Sequence, residues 1–194
     1  MGSHAQGGGV GGRSVADAAP TKADGSNAWG RLSAFGLFVA AMTCLLDQAA
    51  KFWLLLVLHL TSHAPPLVIA PFVELVLTWN TGISYGLFPQ NGPVGPWALL
   101  AFKVVAVGFL WIWLARSTSR LTALALGLII GGAVGNAIDR LHWPGVMDFV
   151  LLHVETATWS FRWYVFNLAD VAIVAGVVGL LYESLQHGGA AKAP

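Results

Sequence analysis

The sequence predicts an α-helical membrane protein, with four transmembrane helices and a small β-sheet on the outer face. Composition is the first reason: 56% of the residues are hydrophobic, 10% are charged, and mean hydropathy is +0.69. A soluble globular domain carries about 25% charged residues, so this chain lacks the material for a water-facing surface. The second reason is four apolar segments in succession, each near the roughly 20 residues a helix needs to cross a ~30 Å hydrocarbon core. The third is that the two long loops between them are rich in β-branched and aromatic residues.

Other classes fall away on simple counts. A net charge of +1 without a basic run carries no nucleic-acid signal. The single cysteine, Cys44, lies inside an apolar run, which excludes an internal disulfide and a Cys-based zinc site. The length of 194 residues suits one compact membrane domain without a separate soluble module.

Residues 1–28 are rich in Gly, Ala and Ser and show no apolar period, so they read as a disordered tail. Its opening, Met1-Gly2-Ser3-His4, reads in part as an expression-tag remnant, and no short apolar core marks a secretory signal peptide. The membrane domain is expected over 29–187, followed by a disordered tail over 188–194. The apolar segments are 32–56, 97–114, 121–138 and 168–182. The last reaches spanning length once Phe166, Asn167 and the residues to Gln186 are included. Backbone polar groups in lipid must be satisfied within the segment, so each span should be an α-helix. Short links then give an antiparallel four-helix bundle. Gly127, Gly131 and Gly135 recur every four residues on the third helix and form a smooth stripe for close helix approach.

Orientation follows from Lys and Arg in the flanks. Arg13, Lys22 and Arg31 precede the first span, Arg116 and Arg120 lie between the second and third, and Lys192 follows the fourth. The loop 57–96 has no Lys or Arg, and Arg140 and Arg162 in 139–165 are balanced by Asp139, Asp148 and Glu155. Both termini therefore read as cytoplasmic and both long loops as outer. Residues 67–79, 146–154 and 159–165 read as short strands of an outer sheet. Trp97, Trp143, Trp159 and Trp163 fit an interfacial aromatic belt. Lys103, in the outer part of the second helix, reads as a snorkelling lysine.

The scarce polar residues gather at one depth. Asp47 lies about 24 Å along the first helix from Arg31 at 1.5 Å per residue. Lys51 is four residues further on the same face, within reach of an ion pair. Asn136, Asp139 and Arg140 end the third helix, Asn167 and Asp170 begin the fourth, Asp148 lies between them, and Asn80 is in the first outer loop. Ionisable groups in membrane spans are costly and point to a site. Taken singly, Asp47–Lys51 reads equally as a structural ion pair and Asp139–Arg140 as an interfacial anchor. Their convergence just beneath the outer surface favours a site.

The motifs for other hydrolytic chemistries are missing from the sequence. There is no His-Glu-x-x-His, and His142 and His153 lack a helical partner at ligand spacing. Ser84 and Ser160 are not framed by Gly-x-Ser-x-Gly. Cys44 sits mid-helix without a base. Two carboxylates remain, Asp148 and Asp170. When two carboxyls share a site, one pKa rises through the other's charge and through desolvation. Such a pair can activate water and protonate a carbonyl, titrating as a unit. Asp139 competes for the role, but Arg140 beside it should keep it ionised. A channel reading and a quinone- or lipid-binding subunit are weaker. The polar groups gather at one end without paired broken helices, and redox chemistry would ask for more Cys or His.

With those residues in hand, the chain resembles the lipoprotein signal peptidases, or signal peptidases II. The resemblance covers nearly everything after the tail. It is carried by Asp47-Gln48-Ala49-Ala50-Lys51, Asn80-Thr81-Gly82 with Gly86-Leu87-Phe88, residues 131–136 followed by Asp139-Arg140, Val146-Met147-Asp148-Phe149, and Phe166-Asn167-Leu168-Ala169-Asp170. It departs at Ile83-Ser84-Tyr85, where the family has small residues and then Phe, and at Met147, which replaces a small aliphatic.

The resemblance implies an aspartic endopeptidase with four spans, a small outer sheet and an amphipathic outer helix able to cover the site. The substrate it implies is a prolipoprotein bearing a diacylglyceryl-cysteine, cut just before that cysteine. It implies no metal or other cofactor and inhibition by the cyclic peptide globomycin. Asp148 and Asp170 become the catalytic dyad. Asn136, Arg140, Asn80, Gly82, Asp47, Lys51, Gly132 and Asn167 become residues that hold substrate or support the site. The setting it implies is a monomer among membrane lipids in the bacterial inner membrane, with no nucleic-acid partner and an active site near the outer face.

Overall fold

The computed structural model describes residues 29–81 and 94–190, together with Gly2. In chain order the elements are α1 (Ser33–Leu56), β1 (Leu67–Ala70), β2 (Val73–Asn80), α2 (Val94–Arg116), α3 (Arg120–His142), β3 (Val146–Glu155), β4 (Ser160–Arg162) and α4 (Leu168–Ala190). Three of the helices, α1, α3 and α4, are long and apolar enough to cross a membrane. In α2 the apolar stretch among the described residues is Val104–Arg116.

The third helix is the hub, packed against α1, α2 and α4. Lipid tails are as apolar as leucine, so helices in a membrane associate by close packing and not by escape from water. The glycine stripe supplies that closeness. A Cβ on Gly127 would lie 2.7 Å from the Gly36 carbonyl oxygen, and one on Gly131 would lie 2.4 Å from that of Ala40. One on Gly135 would lie 2.8 Å from the Asp47 carboxylate. Gly132, on another face, fits against the Ala169 carbonyl of α4 in the same way, at 2.5 Å. Further along, Ala40, Leu114, Ala123, Leu126 and Ile130 close the joint between α1, α2 and α3.

The four strands form one antiparallel sheet in the order β1-β2-β3-β4. It is tied to the C-terminal end of α1 by Leu54, Leu60, Leu75, Leu77, Met147 and Phe149. Burying a side chain of this kind stabilises by about 1.5–3 kcal/mol where the alternative is water. In register, Thr78 faces Asp148 and Asn80 faces Val146. Gly145 permits this pairing, because a Cβ there would lie 2.7 Å from the Asn80 carbonyl oxygen.

The observed elements differ from the sequence expectations in three places. Residues 67–79 are two strands, because Pro71 sits in the turn between β1 and β2 and cannot donate to a ladder. The strand expected over 159–165 stops at Arg162. Beyond it the chain crosses back over β3, and Phe166 forms an isolated bridge with Val150. The fourth helix continues to Ala190, past the expected boundary at 187, since no helix-breaking proline occurs before Pro194. The amphipathic helix that the resemblance implies falls on none of the described elements, and residues 82–93, in the loop between β2 and α2, lie outside them. The tail 1–28 (apart from Gly2) and residues 191–194 also lie outside, as does the side chain of Lys103.

Candidate active site

Each polar residue reaches the site through its own element. Along α1, Asp47 and Lys51 are one helical turn apart, so both point at the same face of α3. The Lys51 ammonium lies 2.7 Å from Asp47 Oδ2 and 2.7 Å from Asp139 Oδ2, and donates to Asn136 Oδ1 at 3.3 Å. Gln48 Nε2 donates to Asp139 Oδ1 at 2.8 Å and to the Gly135 carbonyl at 3.1 Å. All of this is shut away: Asp47 is 0% exposed, Asp139 2% and Lys51 3%. A buried charge persists only when paired and hydrogen-bonded, and the cluster meets that requirement.

The cluster also reaches outward along the backbone. Asp47 Oδ1 accepts from the Ala169 amide at 3.0 Å, at the start of α4. Asp139 Oδ2 accepts from the Met147 amide at 3.0 Å, at the start of β3. The two elements that carry Asp148 and Asp170 are thus each pinned by a buried carboxylate of the cluster.

The fourth helix begins with a reciprocal cap. Asn167 Oδ1 accepts from the Asp170 amide at 2.9 Å, while Asp170 Oδ2 accepts from the Asn167 amide at 3.2 Å. This is the capping-box pattern, in which the residues flanking the first turn satisfy each other's orphan amides. The Phe166–Val150 bridge sets the same asparagine beside β3. There its Nδ2 donates to Asp148 Oδ1 at 2.6 Å.

Both candidate carboxylates are held at both oxygens. Asp148 Oδ2 accepts from Asn80 Nδ2 at 3.1 Å, and Asp170 Oδ1 accepts from Asn136 Nδ2 at 2.9 Å. Asn167 touches the two aspartates at once. Burial pushes the Asp148 carboxyl up to about 6, and the nearby charge of Asp170 pushes in the same direction. Hydrogen bonds from Asn80 and Asn167 and the charge of Lys51 act against that rise. A carboxyl that keeps its proton up to about pH 6, beside a second carboxyl, is the pairing that general acid–base chemistry uses.

The structure therefore brings together Asp47, Lys51, Asn80, Asn136, Asp148, Asn167 and Asp170. Arg140 joins through Nη1, which donates to the Asn136 carbonyl at 3.3 Å. Gly132 packs against Ala169 and Ile173 of α4. Gly82 lies outside the described residues. Asp139, expected to be kept ionised by its neighbour Arg140, has Lys51 of α1 as a direct ion-pair partner. Gln48 was not singled out from sequence as a site residue, although an amide next to Asp47 in an otherwise apolar helix is the signal that marks it. His153, without a helical partner, meets Glu74 across β2 and β3 with Nε2 3.4 Å from Oε1.

The family model described as signal peptidase (SPase) II matches residues 39–186. A lipoprotein signal peptidase of Nitrobacter hamburgensis is 55% identical over 159 residues, spanning 82% of this chain and 96% of the relative. One from Methylobacterium sp. (strain 4-46) is 52% identical over 162 residues, spanning 82% of this chain and 95% of the relative. Among solved structures, a bacterial membrane enzyme determined by the in meso method at 2.3 Å resolution shares the fold. Its TM-score is 0.64 at 21% identity, over 83% of this chain and 93% of the other.

Proposed function

The chain belongs to the signal peptidase II family, and from that premise we propose that it is an aspartic endopeptidase that frees signal peptides from prolipoproteins. In this reading the substrate carries a diacylglyceryl group on its lipobox cysteine, and the bond cut is the peptide bond just before that cysteine. Asp148 and Asp170 form the dyad. The observation that carries the proposal is Asn167, whose side chain and backbone hold both carboxylates in one constellation.

The dyad holds one proton. The ionised carboxyl takes a proton from water, whose oxygen attacks the scissile carbonyl, while the protonated carboxyl gives its proton to the carbonyl oxygen. Collapse of the tetrahedral gem-diol breaks the C–N bond, as one of its hydroxyls returns a proton to the aspartate that had protonated the carbonyl and so restores the dyad's single proton. The proton taken from water goes to the departing amine of the lipidated cysteine, and the signal peptide leaves with the new carboxylate. Asn80 and Asn136 orient one aspartate each. Asp47 and Lys51 brace the elements beneath them, Gly132 sets how closely α3 and α4 approach, and the resemblance assigns Arg140 and Gly82 to substrate binding.

The location of the site suits such a substrate. Acyl chains stay in the bilayer while the cysteine sits near its outer surface, level with the two aspartates. The same reading places four spans in the bacterial inner membrane, both termini in the cytoplasm and a monomer among lipids. It includes sensitivity to globomycin.

The test is mass spectrometry of products from two synthetic lipobox peptides that differ only in the diacylglyceryl group. The modified peptide should be cut once, before the cysteine, and the unmodified one left intact. Cleavage of both at equal rates, or at another bond, would overturn the proposal.

A further inference from the structure

At the end of the bundle opposite the aspartates, the described structure has a second polar feature. Asp139 and the start of α3 are about 30 Å apart at 1.5 Å per residue, so this feature belongs to the other membrane boundary. A cavity of about 390 Å³ opens there between the last turn of α2 and the 180–184 stretch of α4, with the start of α3 as its floor. Its apolar walls are Trp113 and Leu180, and its polar surface comes from Arg116, Ser117, Thr122 and Glu183. The Thr122 hydroxyl donates to the Glu183 carboxylate, which holds that carboxylate against the floor. Arg116 is exposed at the rim.

We propose that this crevice binds the headgroup of a zwitterionic aminophospholipid, with the phosphate on Arg116 and the primary ammonium on Glu183. Three features carry the assignment. The crevice opens between two apolar helices, so its occupant arrives from the bilayer, where Trp113 and Leu180 receive the upper parts of the acyl chains. Pockets with a basic residue between transmembrane helices at this level suit lipid headgroups. Lastly, among the described residues that line it, the cavity presents one cation, Arg116, and one carboxylate, Glu183. A purely anionic headgroup would be repelled by Glu183, whereas a phosphate–ammonium pair complements both. Choline, which lacks N–H donors, would lose the hydrogen bonds to the carboxylate.

The test uses the full chain, delipidated in mild detergent, with the unfolding temperature followed as defined lipids are added. Dioleoyl phosphatidylethanolamine should raise it by several degrees more than the phosphatidylcholine or phosphatidylglycerol of the same chains. Arg116→Ala should remove most of the rise for every phospholipid, while Glu183→Gln should keep a rise but erase the preference for ethanolamine over choline. Because Glu183→Gln also alters a contact to Thr122, Ser184→Trp serves as a second variant. It fills the crevice mouth from an exposed position, and should abolish the lipid effect without lowering the lipid-free unfolding temperature. Equal rises for ethanolamine and choline lipids in the unaltered protein would overturn the proposal. So would an unchanged preference in all three variants, or the same rise from millimolar inorganic phosphate alone.

Discussion

Asn167 and Asp170 cap each other at the start of α4, each accepting from the other's backbone amide, and the Asn167 side chain also donates to Asp148. One asparagine therefore starts a helix and aligns two carboxylates. The two tasks use different atoms: Oδ1 caps the helix, and Nδ2 reaches Asp148.

That division of labour makes the first prediction separable by substitution. Serine caps helices about as well as asparagine but is too short to reach Asp148. Asn167→Ser should leave thermal stability within about 0.5 kcal/mol while reducing cleavage of a lipidated substrate by about 100-fold. Asn167→Ala should lose both, with about 1 kcal/mol of stability gone as well. Thermal unfolding and initial rates on the same preparations separate the two effects.

The pH profile follows from Asp148. Its carboxyl sits at about 6, so its proton is held below that pH and lost above it. A dyad that needs one proton should lose kcat/KM as pH rises through about 6, with unit slope on a logarithmic plot. The Asn80 hydrogen bond favours the ionised form, so removing it raises the pKa. Asn80→Ala should move the alkaline limb to higher pH, and a shift to lower pH would contradict this electrostatic account.

Within the buried cluster, Lys51 neutralises two carboxylates, Asp47 and Asp139. Lys51→Met leaves both without their cation and should cost about 3–5 kcal/mol. Adding Asp139→Asn to that variant should recover part of the loss, because one buried charge is removed. Asp139→Asn alone should retain measurable cleavage, since Asp139 is held by Lys51, Gln48 and the Met147 amide. Complete loss with normal folding would move the chemistry toward Asp139.

The glycine stripe predicts a contrast in stability. Gly131→Val drives a side chain into the Ala40 backbone and should destabilise by about 1–3 kcal/mol. Gly108 has nothing within 4 Å of its missing Cβ, so Gly108→Ala should fold without loss. Comparing thermal unfolding of the two variants in one detergent checks both.

The three spanning-length helices α1, α3 and α4 were legible because lipid selects on the length of an apolar run, which a sequence displays directly. The glycine stripe was legible for the same kind of reason, since its four-residue spacing is a helix period. Asp148 and Asp170 stood out because carboxylates are scarce in this chain. The Asp47–Lys51 pair was legible from its one-turn spacing, but the partnerships between elements were not. Asp139 was read with its neighbour Arg140, yet the ammonium 2.7 Å from it comes from Lys51 of another helix. Gln48 gains its role from the Gly135 carbonyl and Asp139, both on α3. The double duty of Asn167 depends on the Phe166–Val150 bridge, a tertiary pairing with no local signature.

The most direct test of the dyad is cleavage of a diacylglyceryl-modified lipobox peptide by Asp148→Asn and Asp170→Asn, each alongside its unfolding temperature. Both variants should unfold near the temperature of the unaltered protein and show no cleavage above background. Near-normal cleavage by either one, with folding intact, would contradict the assignment of Asp148 and Asp170 as the reacting pair.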